Sequence, residues 1–202
     1  MSTASIDKAL DQALGATEGE QSLQRFIAVF HRKHPHLLIV EHGSLERRLT
    51  AMLIQYCRLL PILLDEAKSV TGRHSSASDF DALHGIVEAF FSSLEPKRLT
   101  FGVLGILDKV YFGHRLLEEW HDRHRLDTHR TALSWDTSLS NILVHTLIGD
   151  GYANELDAAV RDVIDTQPRK EGDTIDAKKI RHPAPPFPCL ASRHGVSLAW
   201  SR

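Results

Sequence analysis

Apolar residues recur with a helical period along most of the chain. The longest pattern runs from about Ser44 to Val70, where Leu, Met and Tyr side chains return every three or four residues. Pro61 lies inside that run, and a kink is expected because its ring removes one amide donor and clashes with the previous turn. Further helices are predicted at about Ser5–Leu14, Gln21–Lys33, Ser78–Leu94, Lys97–His129, Asp136–Leu147 and Ala153–Ile164.

These patterns predict an all-α fold, a bundle of about six helices in a single domain over residues 1–166. The apolar stretch 36–42 is interpreted as helix because the next helix follows at once. Residues 167–202 contain five prolines and few periodic apolar positions, so an extended Pro-rich C-terminal arm is expected there. The large apolar groups of that arm should dock on the bundle or on a partner; they are Phe187, Leu190, Leu198 and Trp200.

Composition narrows the class of protein. The chain has 202 residues, 42% of them hydrophobic, which is enough for one sizeable core. The formal net charge of −2 gives no support to nucleic acid as the main partner. The N-terminus lacks the pattern of a secretory signal, and no apolar run approaches the roughly 20 residues that a membrane span needs. Two distant cysteines are most simply reduced thiols, so a cytoplasmic protein is expected.

The chain carries 13 histidines, and several stand one helical turn from a carboxylate. Side chains four residues apart project from the same face of a helix. Facing helices of a bundle can bring such groups together around a metal, and mixed nitrogen and oxygen ligands suit iron or manganese. The candidate metal ligands, taken in chain order, are His42, His84 with Glu88, His114 with Glu118, and His145 with Asp150.

This order of motifs resembles the hemerythrin-like family of four-helix bundles. The run EHGSLERRLTAML around His42 is similar to the start of the family's first helix, LHGIVEAFF matches its HxxxE, and VHTLIGD matches its HxxxxD. The resemblance covers roughly residues 41–151 and implies a non-haem di-iron site that binds or senses oxygen. The third element departs from the family's HxxxH, because Glu118 stands where a second histidine is expected.

Other interpretations of the same residues stay open. His84 and His145 lie between apolar neighbours and are typical of hydrogen-bonded core histidines. The charged run 118–130 suits a solvated helix end, although Arg123 and His129 have the spacing of a helical HEPN ribonuclease. Glu118 with His121 forms a single ExxH of the ferritin-like kind. Glycine-rich nucleotide-binding motifs, HExxH, CxxC and GxSxG are absent from the sequence.

Two functions therefore compete. The first is a hemerythrin-like protein that binds non-haem iron. The second is a non-enzymatic helical adaptor or oligomerisation protein, whose arm at 167–202 binds a second copy or another protein.

Overall fold

The computed structural model describes residues 4–16, 18–40, 42–71, 77–128, 131–166 and 187–199. Over these ranges the chain is mainly helical, with two short strands, which confirms the all-α fold class. In the same ranges no helix is long and apolar enough to cross a membrane. The elements are α1 (Ala4–Leu14), α2 (Gly19–Lys33), β1 (Leu38–Val40), α3 (Leu45–Thr71), α4 (Ala77–Ser92), α5 (Pro96–Leu99), a 3-10 turn (Gly102–Gly105), α6 (Leu107–Thr128), α7 (Ser138–Ile148), α8 (Asp150–Thr166), α9 (Leu190–Arg193) and β2 (Val196–Leu198).

Helix α3 forms the centre of the bundle and packs against α1, α2, α4 and α6. Its 27 residues bury side chains around most of the helix, among them Leu49, Leu53 and Leu60. A helix that is apolar on several faces is stable only when other helices surround it. Pro61 lies inside α3 as the sequence indicates, so the carbonyl of Cys57 has no amide donor at the usual helical position.

The sequence predicts a helix over 36–42, but residues 38–40 form strand β1, so this prediction is wrong. The strand pairs antiparallel with β2, with Leu38 opposite Leu198 and Val40 opposite Val196. The β-branched Ile39 and Val40 favour an extended backbone, and the pairing partner lies far away in sequence. Local periodicity over so short an apolar run does not distinguish a helix from a strand.

The single helix expected over 97–129 is also corrected, since α5 and the 3-10 turn precede α6. Gly102 has a φ of 63°, which is in the left-handed region that favours glycine. A Cβ at Gly102 would lie 2.7 Å from the Cα of Gly19, so the break allows the turn to pack directly on α2. Asp108 in the first turn of α6 then receives a hydrogen bond of 2.7 Å from Arg98.

The described part of the predicted arm packs on the bundle instead of extending away from it. Residues 187–199, called here the C-terminal segment, contain α9 and β2 and contact α3, α7 and β1. Leu190 and Leu198 are almost completely buried. Proline content predicts an extended chain, but four apolar side chains in this segment are sufficient to hold it against the core.

Candidate functional site

Arg115 is the centre of a polar network among α6, α7 and α8. Its guanidinium group pairs with Glu118 at 2.5 Å, with Glu119 at 2.8 Å and with Asp157 at 3.1 Å. Burial alone would lower the pKa of Arg115, but Glu118 and Asp157 outweigh it and the pKa is raised. The cation is therefore permanently charged and fully engaged by carboxylates.

The network continues from Glu118 into the core. The side-chain amide of Asn141 donates to Glu118 over 2.6 Å, and the hydroxyl of Tyr56 donates to the Asn141 oxygen over 2.6 Å. On the other side, the hydroxyl of Tyr111 donates to Asp157 over 2.8 Å. These bonds join α3, α6, α7 and α8 through groups that satisfy one another, which is how a buried polar network fixes one helix arrangement.

His114 lies at the inner end of this network, almost fully buried. Its Nε2 lies 2.8 Å from the carbonyl oxygen of Tyr56, so Nε2 carries the proton and Nδ1 is the unprotonated nitrogen. The ring also stacks on the Tyr56 ring with 4.0 Å between centroids. Burial lowers the pKa of His114 to about 4, against the opposing effect of the Tyr56 carbonyl.

His145 and Asp150 lie at the outer end of the network, where α7 meets α8. The Nε2 of His145 is 3.2 Å from the Asn154 side-chain oxygen and 3.8 Å from Asp157. Its Nδ1 is 3.5 Å from Asp150, whose side chain is 78% exposed. The structure thus brings His145 and Asp150 together at the surface. The other ring nitrogen of His145 contacts Asn154.

His84 and Glu88 lie on α4, outside the Arg115 network. His84 is buried beside Phe80, and the pKa of His84 is lowered by burial against the opposing charge of Glu88. The Nδ1 of His84 and the Oε1 of Glu88 are both buried and have no hydrogen-bond partner. Both members of this pair therefore have a free coordinating atom, whereas of His114 and Glu118 only His114 has one, at Nδ1.

The predicted ligands do not assemble into the hemerythrin-like arrangement. His42 is exposed, and its backbone carbonyl accepts a hydrogen bond from Arg48. Glu118 is neutralised by Arg115, and the Nε2 of His114 donates to the Tyr56 carbonyl, so only the Nδ1 of His114 has a lone pair for a metal. Within the ranges that the structure describes, no three His, Cys, Asp or Glu side chains are grouped to hold a metal ion.

The ribonuclease-like pair and the ExxH motif are the two other candidate sites from the sequence. Arg123 donates to the backbone carbonyl of Ile164 over 2.6 Å, while His129 of the ribonuclease-like pair lies outside the described residues. In the ExxH motif, His121 has a buried Nε2 without a hydrogen-bond partner, and burial lowers the pKa of His121. Its companion Glu118 belongs to the Arg115 network, so the motif contributes one free ligand.

A second site is the groove that holds the C-terminal segment, where docking of Leu190 and Leu198 was expected but the pairing of β1 with β2 was not. The backbone amide of Leu190 donates to the Asp136 carbonyl over 3.1 Å, and the Asp136 amide donates to Pro188 over 3.3 Å. Beyond α9, strand β2 pairs with β1. The available signals were the short runs Leu38–Val40 and Val196–Leu198, which are rich in β-branched and aliphatic residues.

Two arginine side chains lie where α9 turns into β2, one from α3 and one from the C-terminal segment itself. Arg48 of α3 donates to the backbone carbonyl of His194 over 2.9 Å, and the His194 ring lies 2.7 Å from the Gln55 oxygen. The neighbouring Arg193 lies over the Trp135 ring at 5.1 Å. Burial lowers the pKa of His194, and the positive charges of Arg193 and Arg48 lower it further.

Comparison of the chain with protein-family models, with curated proteins and with solved structures gives no significant match.

Proposed function

We propose that the protein is a non-enzymatic helical adaptor that binds a short segment of another protein in the groove occupied by its own C-terminal segment. The observation that carries this proposal is the way in which residues 187–199 are held. Strand pairing, two backbone hydrogen bonds to Asp136 and buried apolar side chains are the features of groove recognition of a peptide. In this proposal the C-terminal segment occupies the groove until a segment of the partner protein replaces it.

The apolar contacts of the groove are strong enough for such a role. Leu190, Ala191, Val196 and Leu198 each expose 1% or less of their surface. Burying a leucine or valine side chain stabilises by about 1.5–3 kcal/mol, and ordering the segment costs part of that sum. A peptide with the same anchors is expected to bind with an affinity in about the micromolar range.

The length of the connection between the bundle and the C-terminal segment determines how strongly that segment competes with a free partner for the groove. Residues 167–186 separate Thr166 at the end of α8 from Phe187. A tether of this length gives the attached segment an effective concentration of about 1 mM. A free partner must therefore bind considerably more tightly than the tethered segment, or the tethered segment must be a suboptimal occupant.

The test uses the complete chain with a specific protease site inserted after Asp176. Cleavage of the folded protein leaves both pieces present but removes the tether. We expect a fluorescein-labelled peptide of residues 187–199 to exchange into the groove, with an increase in anisotropy and an unchanged helical circular-dichroism spectrum. The uncleaved protein should bind the same peptide at least a hundredfold more weakly, because its own segment competes intramolecularly.

The matched control is the same peptide with Leu198→Asp, which places a charge at a fully buried anchor and should abolish binding. If the labelled peptide does not enter the cleaved protein while the bundle stays helical, the segment is a permanent part of the core. The adaptor proposal would then be rejected.

Iron binding is the second candidate function, and one observation favours it. The Nδ1 of His84 and the Oε1 of Glu88 are buried, unpartnered and one turn apart on α4. Metal analysis by mass spectrometry on protein purified without chelators from iron-supplemented cells tests this candidate. About one or two irons per chain, lost in the variant His84→Ala, would support it; less than about a tenth of a metal per chain would exclude it.

A further inference from the structure

A surface pocket lies between α1 and α3 and shares no residue with the two sites described above. Its volume is about 350 Å³, near the lower end of the range for pockets that bind small molecules. Arg58 and Pro61 form its α3 wall. The α1 wall consists of residues three or four apart, which share one face of the helix: Asp7, Leu10, Asp11 and Leu14.

The inner surface of the pocket is apolar. Leu10 is buried, and Leu14 and Pro61 are half-buried against the core. Pro61 has no amide hydrogen, so it offers its ring and no hydrogen-bond donor. The next residue, Ile62, is half exposed and continues this apolar surface on α3. An aliphatic group that enters the pocket therefore removes apolar surface from water on both sides of the contact.

The charged groups of the pocket have opposite signs on its two walls. Asp7 and Asp11 lie one turn apart on α1, Arg58 lies on α3, and all three side chains are exposed. Within the described part of the chain, neither Arg58 nor Asp11 forms an ion pair. An arginine and a carboxylate thus line one pocket without neutralising each other.

The end of α1 adds to the negative charge of its wall. Leu14 and Gly15 line the pocket at the C-terminal end of the helix, where the last carbonyl groups carry a partial negative charge. The last turn of α1 contains no basic residue that could offset this charge. The α1 wall therefore favours a cationic group, whereas the guanidinium group on the α3 wall favours a carboxylate.

We propose that this pocket binds a free α-amino acid with an apolar side chain. The ammonium group of the ligand pairs with the carboxylates of Asp7 and Asp11, and its carboxylate receives hydrogen bonds from Arg58. Its side chain packs on Leu10, Leu14 and Pro61. A ligand with a single charge would leave one wall uncompensated, so the two walls together select a zwitterion. This site is independent of the proposed adaptor function.

The experiment is a chemical-shift titration of the isotopically labelled full-length protein with L-leucine. Because the charged groups are exposed to water, we expect weak, saturable binding with a dissociation constant of about 1 mM. The amide resonances that shift should lie in α1 and around Arg58 in α3. Two analogues test the zwitterion: isocaproic acid lacks the ammonium group, and isoamylamine lacks the carboxylate. Each should bind at least about fivefold more weakly than leucine.

Charge-removing variants assign the binding to this pocket. Arg58→Gln and Asp11→Asn should each weaken leucine binding by about threefold to tenfold, because each removes one charged partner of the ligand. The matched controls are Arg161→Gln and Asp162→Asn, at exposed positions of α8, and they should leave the dissociation constant unchanged.

Three results would overturn the proposal. The first is the absence of saturable shifts up to about 20 mM leucine. The second is a set of shifts outside α1 and α3, or an equal loss of binding in the α8 controls, because the ligand would then bind elsewhere. The third is binding of isoamylamine as tight as that of leucine, which would show that the pocket takes a cation and that Arg58 recognises no carboxylate.

Discussion

The motif HxxxE lies wholly within a helix at two places in this bundle, on α4 and on α6, and these two copies have different environments. On α6, the Nε2 of His114 donates to the Tyr56 carbonyl while its Nδ1 has no partner, and Glu118 pairs with Arg115 and accepts from Asn141. On α4, the Nδ1 of His84 and the Oε1 of Glu88 have no partner. The spacing places both pairs on one helical face, but the neighbouring helices determine what each pair does.

The difference shows why spacing is a weak guide to chemistry in a helical bundle. The α6 pair faces α3 and α7, which supply a carbonyl and an amide, and an arginine one turn away supplies the cation. The α4 pair lies beside Phe80, so burial is not compensated by hydrogen bonding. Buried polar groups without partners are costly, and they occur most often where a ligand binds or where strain is tolerated.

The largest effect is expected from removing the cation of the α6 network. Arg115→Met leaves the carboxylates of Glu118 and Asp157 close together without a positive charge. We expect the free energy of unfolding to fall by roughly 3–4 kcal/mol, because breaking a partly buried ion pair leaves uncompensated charge that water screens only in part. Urea denaturation followed by circular dichroism measures it.

The matched control is Arg161→Met, an exposed arginine on α8, which should change stability by less than about 0.5 kcal/mol. Equal small losses in both variants would mean that the Arg115 network contributes little, and the contrast between the two copies of the motif would have no energetic basis.

The sequence alone predicted the helices that are determined by residues close together in the chain. The long apolar pattern of α3 and the glycine-bounded helices α7 and α8 were predicted within a few residues. It failed where the partner is distant: β1 becomes a strand because β2 pairs with it from about 158 residues away. Among the candidate ligands, the sequence spacing predicted that His145 and Asp150 approach each other. It was not used to predict that Arg115, which lies between His114 and Glu118 on α6, neutralises Glu118.

A pH titration gives the next largest effect. The pKa of His114 is lowered to about 4 from 6.5, so the unfolded chain binds a proton between these pH values while the native protein does not. Stability is therefore retained above about pH 6.5 and lost as the pH falls toward 4, by about 3 kcal/mol for a shift of this size. His84 and His121 have lowered pKa values and add to the loss in the same direction.

The variant His114→Gln isolates the contribution of His114. Its amide can donate to the Tyr56 carbonyl but does not titrate, so its stability should decline less steeply between pH 6.5 and pH 4. Parallel curves for the two proteins would show that His114 is not held neutral in the native state.

The smallest effect comes from a direct comparison of the two glutamates. Glu118→Gln removes the negative charge that Arg115 faces and turns an amide toward the Asn141 donor, so we expect a loss of about 2 kcal/mol. Glu88→Gln should change stability by less than about 0.5 kcal/mol, because among the described residues Glu88 forms no hydrogen bond through its buried Oε1 and no ion pair. Thermal and urea unfolding of both variants at pH 7.5 measure the difference. A loss at Glu88 as large as that at Glu118 would mean that Glu88 has a cationic partner in solution, and a bound metal at His84 and Glu88 would then be the first partner to test, by repeating the unfolding with and without added iron.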